Sequence, residues 1–333
     1  MLGWILAHGD LDGMASAALV ISHHLRLNKE FKYRIYFSQP FSLHHALARM
    51  GSVRSGLVYI LDIALDEEHW DINSRVLRAL AEENDVTWVD HHPATIARKR
   101  DIENLGIKTI VSQAPSATTL LQPLIPHTLD PDFSKTLISL AELSDASTPQ
   151  SKENSLVNAV EVLTGAIAYD PQDDDFKKRI IETWVKRRVL VPEEAVIRFQ
   201  ESEEKFQKLL REANNRVIYE SPLLRIVDLR EVRVYGFSGK IASLQANTDG
   251  KIVLLVFRIG QDATVITGRA PKNSNISLVE LFSKISREWG ASGGGHYHAA
   301  SLRVPAAIAD KVIRTVIDEI EKTVPELNLH SAN

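Results

Sequence analysis

The segment WILAHGDLDGMASAAL, residues 4–19, runs apolar as far as Ala7 and then sets His8, Asp10 and Asp12 at alternating positions ahead of Gly13. An apolar run of this length reads as a buried strand. If the chain leaves the strand as an extended loop, alternate side chains point to one side. His8, Asp10 and Asp12 then share one cavity at the strand's tip. Gly13 permits a tight turn into a following helix. A plainer reading also exists, in which Asp12 caps a helix starting at Met14 and His8 satisfies a buried carbonyl.

Four more strand-like runs follow: YRIYF (33–37), LVYILDIAL (57–65), DVTWVDHH (85–92) and IKTIV (107–111). Segments with helical spacing separate them, at 13–27, 66–83 and 93–100, with another at 116–124. Such alternation predicts parallel βαβ units. From about 133 to 190 the pattern is mostly helical. After Pro192 comes a long charged amphipathic segment whose apolar stripe is Ile197, Phe206, Leu209 and Leu210. Strand patterns return at 223–229, 251–259 and 263–270. A helix at 277–289, a glycine cluster at 293–295 and a last helix at 305–322 complete a second, smaller α/β domain. The expected architecture is thus an α/β chain: a parallel-sheet domain at 1–190, a helical connector at 191–215 and a smaller domain at 216–333.

Three later segments repeat the theme of the first. YILDIAL places Asp62 in an otherwise apolar strand, where an unpaired carboxylate is costly and calls for a partner, a proton or a metal. TWVDHHP ends an apolar run in Asp90, His91 and His92, and LAELSDAST ends a helical one in Asp145. Parallel strands share one carboxyl edge, and sites form there. Carboxylates joined by a few imidazoles suit Mn²⁺, with Mg²⁺ as the alternative. The chain has no cysteine, which removes thiolate metal sites, Cys nucleophiles and disulfides. The pairs His23-His24 and His44-His45 sit in helical patterns without a nearby buried acid and read as packing or surface histidines. The acids of QDDDF, Asp173 to Asp175, read as a solvated helix start.

The order H-x-D-x-D-G, a strand Asp, D-H-H and a later Asp resembles the DHH phosphoesterase superfamily. The segment TGRAPKNSNISLVELFSKISREWGASGGGHYHAAS is similar to the associated DHHA1 domain, with its strand arginine and GGGH. Within the superfamily the chain resembles nanoRNases and RecJ-type exonucleases in their compact archaeal form. The resemblance implies a DHH domain that binds metal and a DHHA1 domain that binds substrate. It implies two divalent cations, one held by His8, Asp10 and Asp62. The other would be held by Asp12, Asp62, His91 and Asp145, with Asp62 bridging. It implies that His92 faces the substrate phosphate and that Asp90 orients one of the two histidines. A water activated between the cations would attack phosphorus. The second domain would close over the site, Arg269 offering a fork to a phosphate and Gly294, Gly295 and His296 lining the substrate.

Bulk composition limits the substrate. Hydrophobic residues are 44% and charged residues 25%, a balanced globular mix, and the formal net charge is -4. Tight, charge-driven binding of long nucleic acid favours a basic protein. Short single-stranded RNA or DNA is therefore the expected substrate, with release of mononucleotides. The alternatives are a cyclic or linear dinucleotide, 3′-phosphoadenosine 5′-phosphate, or a non-catalytic nucleic-acid-binding subunit. The sequence has no membrane-length apolar run and no secretory pattern, so a cytoplasmic location is expected. An exposed apolar face on the connector would support a homodimer.

Overall fold

The structure is a computed structural model that describes residues 2–51, 53–146 and 155–322. The outer limits of the two expected domains, residues 1 and 333, lie outside them. The chain divides into two compact units, Met1–Gln200 and Glu201–Asn333.

The first unit begins β1 (Leu2–Ala7), α1 (Leu11–Leu27), β2 (Lys32–Phe37), α2 (Leu43–Met50), β3 (Leu57–Leu61), α3 (Trp70–Glu83) and β4 (Asp85–Asp90). Then come α4 (Pro93–Ala97), α5 (Lys99–Glu103), β5 (Lys108–Val111), α6 (Ala117–Leu120), α7 (Pro131–Asp145), α8 (Ser155–Tyr169) and α9 (Asp174–Arg187). The strands form a parallel sheet in the order β2-β1-β3-β4-β5. Residue alternation along each strand feeds two cores. Ile5 and Ala7 join one with Met14, Leu140 and Trp184, while Trp4 and Leu6 join the other with Leu47, Leu77 and Trp88. A sheet covered on both faces explains why its strands read as continuous apolar runs. The strand order turns back between β1 and β3, so their carboxyl ends bound the crevice where such sheets place ligands.

The expected strands are found, with altered limits. β3 stops at Leu61, so Asp62 stands just beyond the strand and not inside it. The helix expected from 66 starts only at Trp70, and the one expected at 93–100 is broken at Arg98 into α4 and α5. Helix α10 (Glu193–Asn214) fills the place of the connector, and the division between units falls inside it, at 200/201. Phe206 and Leu209 are buried on it, whereas Ile197, expected in the same stripe, is exposed.

The second unit continues with β6 (Val217–Glu220), β7 (Leu224–Asp228), α11 (Ser238–Asp249), β8 (Ile252–Ile259), β9 (Ala263–Arg269), α12 (Leu278–Trp289), β10 (Ser292–His296), β11 (Ala299–Pro305) and α13 (Ala309–Glu321). Its sheet, in the order β10-β11-β9-β8-β7-β6, is antiparallel except where β7 meets β8. Leu254, Ile266 and Leu302 pack there against Phe282, Val312 and Val316. Sequence patterning misses β6, α11 and β11. It also reads 293–295 as a cluster between elements, where the structure has edge strand β10. Three glycines give a strand no side-chain signal.

Candidate metal centre and phosphate-binding strand

Four chain segments bring candidate ligands to the carboxyl edge of the parallel sheet: 8–12, 62, 90–92 and 145. β1 delivers His8, and the chain turns at once into α1. Asp10 is the N-cap of α1, accepting from the Gly13 amide at 3.1 Å. Asp12 lies within the first helical turn, so the three residues do not alternate along an extended loop; the cap is Asp10 rather than Asp12. Gly13 is needed for contact: a Cβ there would stand 2.4 Å from the His8 carbonyl oxygen.

Asp62 follows β3 with φ of +58°, a left-handed backbone that few non-glycine residues adopt. Strain of this kind costs on the order of 1–3 kcal/mol and persists where the surroundings fix it. Here the Asp62 amide donates to the Val89 carbonyl at 2.8 Å, and His8 donates from its own amide to Leu61 at 3.0 Å. The Asp62 carboxylate is thereby held between two histidines. His8 Nδ1 lies 3.8 Å from Asp62 Oδ2 and 2.7 Å from Asp10 Oδ2. His91 Nε2 lies 3.5 Å from Asp62 Oδ1, 3.5 Å from Asp145 Oδ2 and 3.7 Å from Asp12 Oδ2. Asp145 comes from the last turn of α7.

His91 and His92 differ in surroundings. The His91 side chain is 15% exposed and its Nδ1 faces the Ala114 carbonyl oxygen at 3.1 Å, which leaves Nε2 to the acids. The His92 side chain is 41% exposed and its Nδ1 faces Asp90 Oδ1 at 2.8 Å. Asp90 thus orients His92.

The electrostatics are those of crowded carboxylates. Burial, then repulsion from Asp10, Asp12, Asp90 and Asp145, pushes Asp62 well above the usual carboxylate range. Burial also raises Asp12, despite bonds from Thr118. Burial with Asp12 and Asp10 nearby raises Asp145 to about 7. Burial would lower His8, but the Asp10 carboxylate outweighs it and carries the imidazole to about 9, while Asp10 itself is held low. His92 is raised in the same way, burial being outweighed by its bond to Asp90.

The donor set fits divalent metal. Asp62 Oδ1 and Asp90 Oδ2 are buried without a hydrogen-bond partner. The groups His8–Asp10–Asp62, Asp62–His91–His92 and Asp12–His91–Asp145 each present donor atoms within 4.8 Å of one another. Separations of 3.5–3.7 Å around His91 Nε2 are too long for hydrogen bonds. Donors that each sit about 2.1 Å from a shared cation would be roughly 3–3.5 Å apart.

Some contributors carry no sequence motif. Gln39 Oε1 meets His8 Nε2 at 3.1 Å, and the Ala117 and Thr118 amides donate to the Asp12 carboxylate at 2.6 and 2.8 Å. Gln39 stands two residues past the end of β2, which is a positional signal, whereas Thr118 lies in the first turn of α6, well after β5, and has none. Away from the site, His24 bonds Tyr59 at 2.8 Å and His44 stacks on His69, with ring centroids 5.1 Å apart, as packing residues do.

In the second unit, Ala299 of β11 pairs with His296 on one side and with Arg269 on the other. The two cationic-type side chains therefore belong to one row across three strands. The Arg269 guanidinium is half-buried and donates to the Gly268 carbonyl at 2.8 Å. No carboxylate pairs with it among the described residues, and burial lowers its pKa. A Cβ on Gly239, in the first turn of α11, would stand 2.9 Å from its Nη2. Gly295 has φ of +143°, and a Cβ there would meet the Ala299 carbonyl oxygen at 2.3 Å. Gly294 has nothing within 4 Å of where its Cβ would stand.

Residues 236–324 match the DHHA1 domain model. No curated protein matches the sequence. Among solved structures, the chain is similar to a DHH-domain protein described as a member of a family of ribosomal proteins. The two share 17% identity and a TM-score of 0.70, over 96% of this chain and 86% of that one. A pGpG-specific phosphodiesterase of Vibrio cholerae matches at 16% identity and a TM-score of 0.56, over 97% and 99% of the two chains. RecJ of Thermus thermophilus, in complex with Mn²⁺, matches at 17% identity and a TM-score of 0.57, over 96% of this chain. The match spans 52% of the RecJ chain. The first unit and the chain as a whole share the fold of these DHH-domain and RecJ structures. The C-terminal part of the chain is a DHHA1 domain.

Proposed function

We propose that this protein is a divalent-metal-dependent phosphodiesterase that hydrolyses short single-stranded oligonucleotides and releases mononucleotides. One observation carries the reading: a buried, left-handed Asp62 whose Oδ1 has no hydrogen-bond partner yet faces His91. No folding advantage accounts for that carboxylate. The ligands assigned are His8, Asp10 and Asp62 for one cation, and Asp12, Asp62, His91 and Asp145 for the other. Mn²⁺ is favoured by the mix of imidazole and carboxylate, and the RecJ structure in complex with Mn²⁺ supports the choice. When bound, such cations supply a water of lowered pKa and neutralise charge on the phosphoryl group.

The remaining roles belong to the chain. His92, the more exposed histidine, donates from Nε2 to a non-bridging phosphoryl oxygen. Asp90 on its Nδ1 fixes the tautomer and favours the protonated ring that strengthens this bond. Gln39 and the Ala114 carbonyl hold His8 and His91 in their orientations. Arg269, with no carboxylate partner among the described residues, takes a phosphate of the substrate. Gly294 and Gly295 let a base or phosphate approach the β10 backbone, with His296 at its end.

A linear dinucleotide is the second reading, favoured by the end-to-end match with the pGpG-specific phosphodiesterase. A time course with Mn²⁺ separates them. End-labelled RNA and DNA from dinucleotides to long strands are offered alongside a cyclic dinucleotide. Stepwise release of mononucleotides from oligomers supports the first reading. Turnover confined to dinucleotides moves the protein to the second. Silence on every substrate, with Mn²⁺ bound, rejects both and leaves a nucleic-acid-binding subunit.

A further inference from the structure

We propose that Lys177 is a positioning residue for the His8–Asp10 turn, and through it for one of the two metals; this rests on the metal reading above. Lys177 lies in the first turns of α9, and its side chain is only 4% exposed. A lysine buried to that degree is rare and needs a partner. Its ammonium pairs with Asp174 at 2.9 Å and sits 4.7 Å from the centre of the Phe37 ring. The third neighbour is Gly9, the residue between His8 and Asp10. A Cβ on Gly9 would stand 3.0 Å from Lys177 Nζ and 3.6 Å from both Cδ and Cε. The lysine therefore occupies the space that a side chain at position 9 would fill.

This arrangement gives the QDDDF acids different work from that of a solvated helix start. Asp173 caps α9 through the Phe176 amide at 2.9 Å and pairs with Arg198 at 2.7 Å. Asp174 holds the Lys177 ammonium, and Asp175 is left to solvent beside Lys178. The first two acids brace the helix and its lysine beneath the turn. Phe37 completes the seat from the end of β2, where Ser38 donates to the Ala7 carbonyl at 3.1 Å. Helix α9, β2 and the turn after β1 thus meet at one buried cation. In the second ligand group, Asp12 is fixed instead by the amides of α6 and His91 by the Ala114 carbonyl, while Asp145 comes from α7. Loss of Lys177 should therefore weaken one metal and spare the other.

The test is titration of the full-length protein with Mn²⁺, read by calorimetry and by the electron paramagnetic resonance of a coupled metal pair. Lys177→Met should weaken one of two Mn²⁺ sites by about 10–100-fold, the usual cost of losing support behind a ligand. The other site should keep its wild-type affinity, and the coupled signal should vanish at stoichiometric Mn²⁺. Gly9→Ala, which pushes the ammonium off the turn, should give the same selective loss. The double variant Gly9→Ala/Lys177→Ala should be no worse than Lys177→Ala, because the two changes act on one contact. If Lys177→Met does not fold, Gly9→Ala decides. Two unchanged sites, or an equal loss at both, would overturn the proposal and leave the metal reading standing. A wild-type protein that binds no Mn²⁺ would overturn both.

Discussion

At the carboxyl edge of the first sheet, Asp12, Asp62 and Asp90 are buried together and repel one another. On the second sheet, Arg269 stands half-buried with no carboxylate partner among the described residues, beside a strand of glycines. One region gathers more negative charge than it can neutralise, and the other keeps a cation without a counter-ion. Each is poor design for stability alone, since buried charge without a partner costs free energy. The two excesses are opposite in sign. Cations would relieve the first, and a phosphate would relieve the second. The backbone differs in the same way. In the first region the left-handed backbone strains Asp62, whose side chain is needed; in the second a positive φ falls on Gly295, which adopts it freely and whose side chain must be absent.

The sharpest way to break this contrast is Asp62→Asn. Asparagine tolerates the left-handed backbone and keeps the shape while removing the charge. Hydrolysis should fall at least about a thousandfold, since metal stabilisation of the reaction is worth several kcal/mol. The metal-free protein should melt at a higher temperature than wild type, because a repelling charge has gone. Scanning calorimetry and a rate assay check both. A lower melting temperature together with normal activity would show that Asp62 serves the fold.

The glycines test the second region. Gly295→Ala adds a methyl group against the Ala299 carbonyl at a backbone angle that L-residues avoid. It should destabilise the second unit by roughly 2–5 kcal/mol. Gly294→Ala, with open space around its Cβ, should leave the melting temperature unchanged. Should position 294 face substrate, that variant will instead raise KM. Equal melting curves for the two variants would contradict the described geometry.

Much of the first region was legible in advance, and the reason is periodicity. Buried parallel strands produce apolar runs, and an acid or histidine at the end of each run stands out against them. His8, Asp62 and the Asp90–His92 run were visible for this cause. Gln39, Thr118 and Lys177 are not, because a polar residue in a loop or a short helix, or a lysine on a charged helix, has no contrast with its neighbours. Their roles depend on which strand ends meet, which is a fact of topology. The sequence pattern puts Asp62 within β3, because a left-handed residue after a strand leaves no mark in it. The second sheet was harder. Its edge strands β6 and β10 are mostly exposed, and β10 is rich in glycine, so alternation fails there.

The charge excess at the first site also predicts a dependence on pH. Mn²⁺ must displace a proton from Asp145, raised to about 7, and from His8, raised to about 9. Both protons are present at low pH, so affinity should rise with pH from 6 to 9. The slope should approach tenfold per pH unit above 7 and exceed it below, with proton release measurable in weakly buffered solution. For folding of the metal-free protein the sign is opposite. A carboxyl group whose pKa is raised on folding favours the native state when protonated, and that contribution fades as pH rises towards 7. Asp145→Asn should remove the lower part of both effects. A flat Mn²⁺ affinity over this range would mean that these groups are not ligands.

The smallest effect expected is that of His24→Ala, and it asks whether a histidine doublet matters by its position alone. His24 Nε2 bonds the Tyr59 hydroxyl at 2.8 Å, and its ring stacks on Phe31 with centroids 4.7 Å apart. Losing them should cost about 1 kcal/mol of stability and leave Mn²⁺ binding and turnover at wild-type values. The comparison is strict because Tyr59 lies on β3, three residues before Asp62. If removing His24 weakened metal binding tenfold, the position of Asp62 would depend on packing along the strand below it. The left-handed turn would then be held from the core as well as from Val89. If binding is unchanged, the strain at Asp62 is sustained locally, by the strand ends that carry the site.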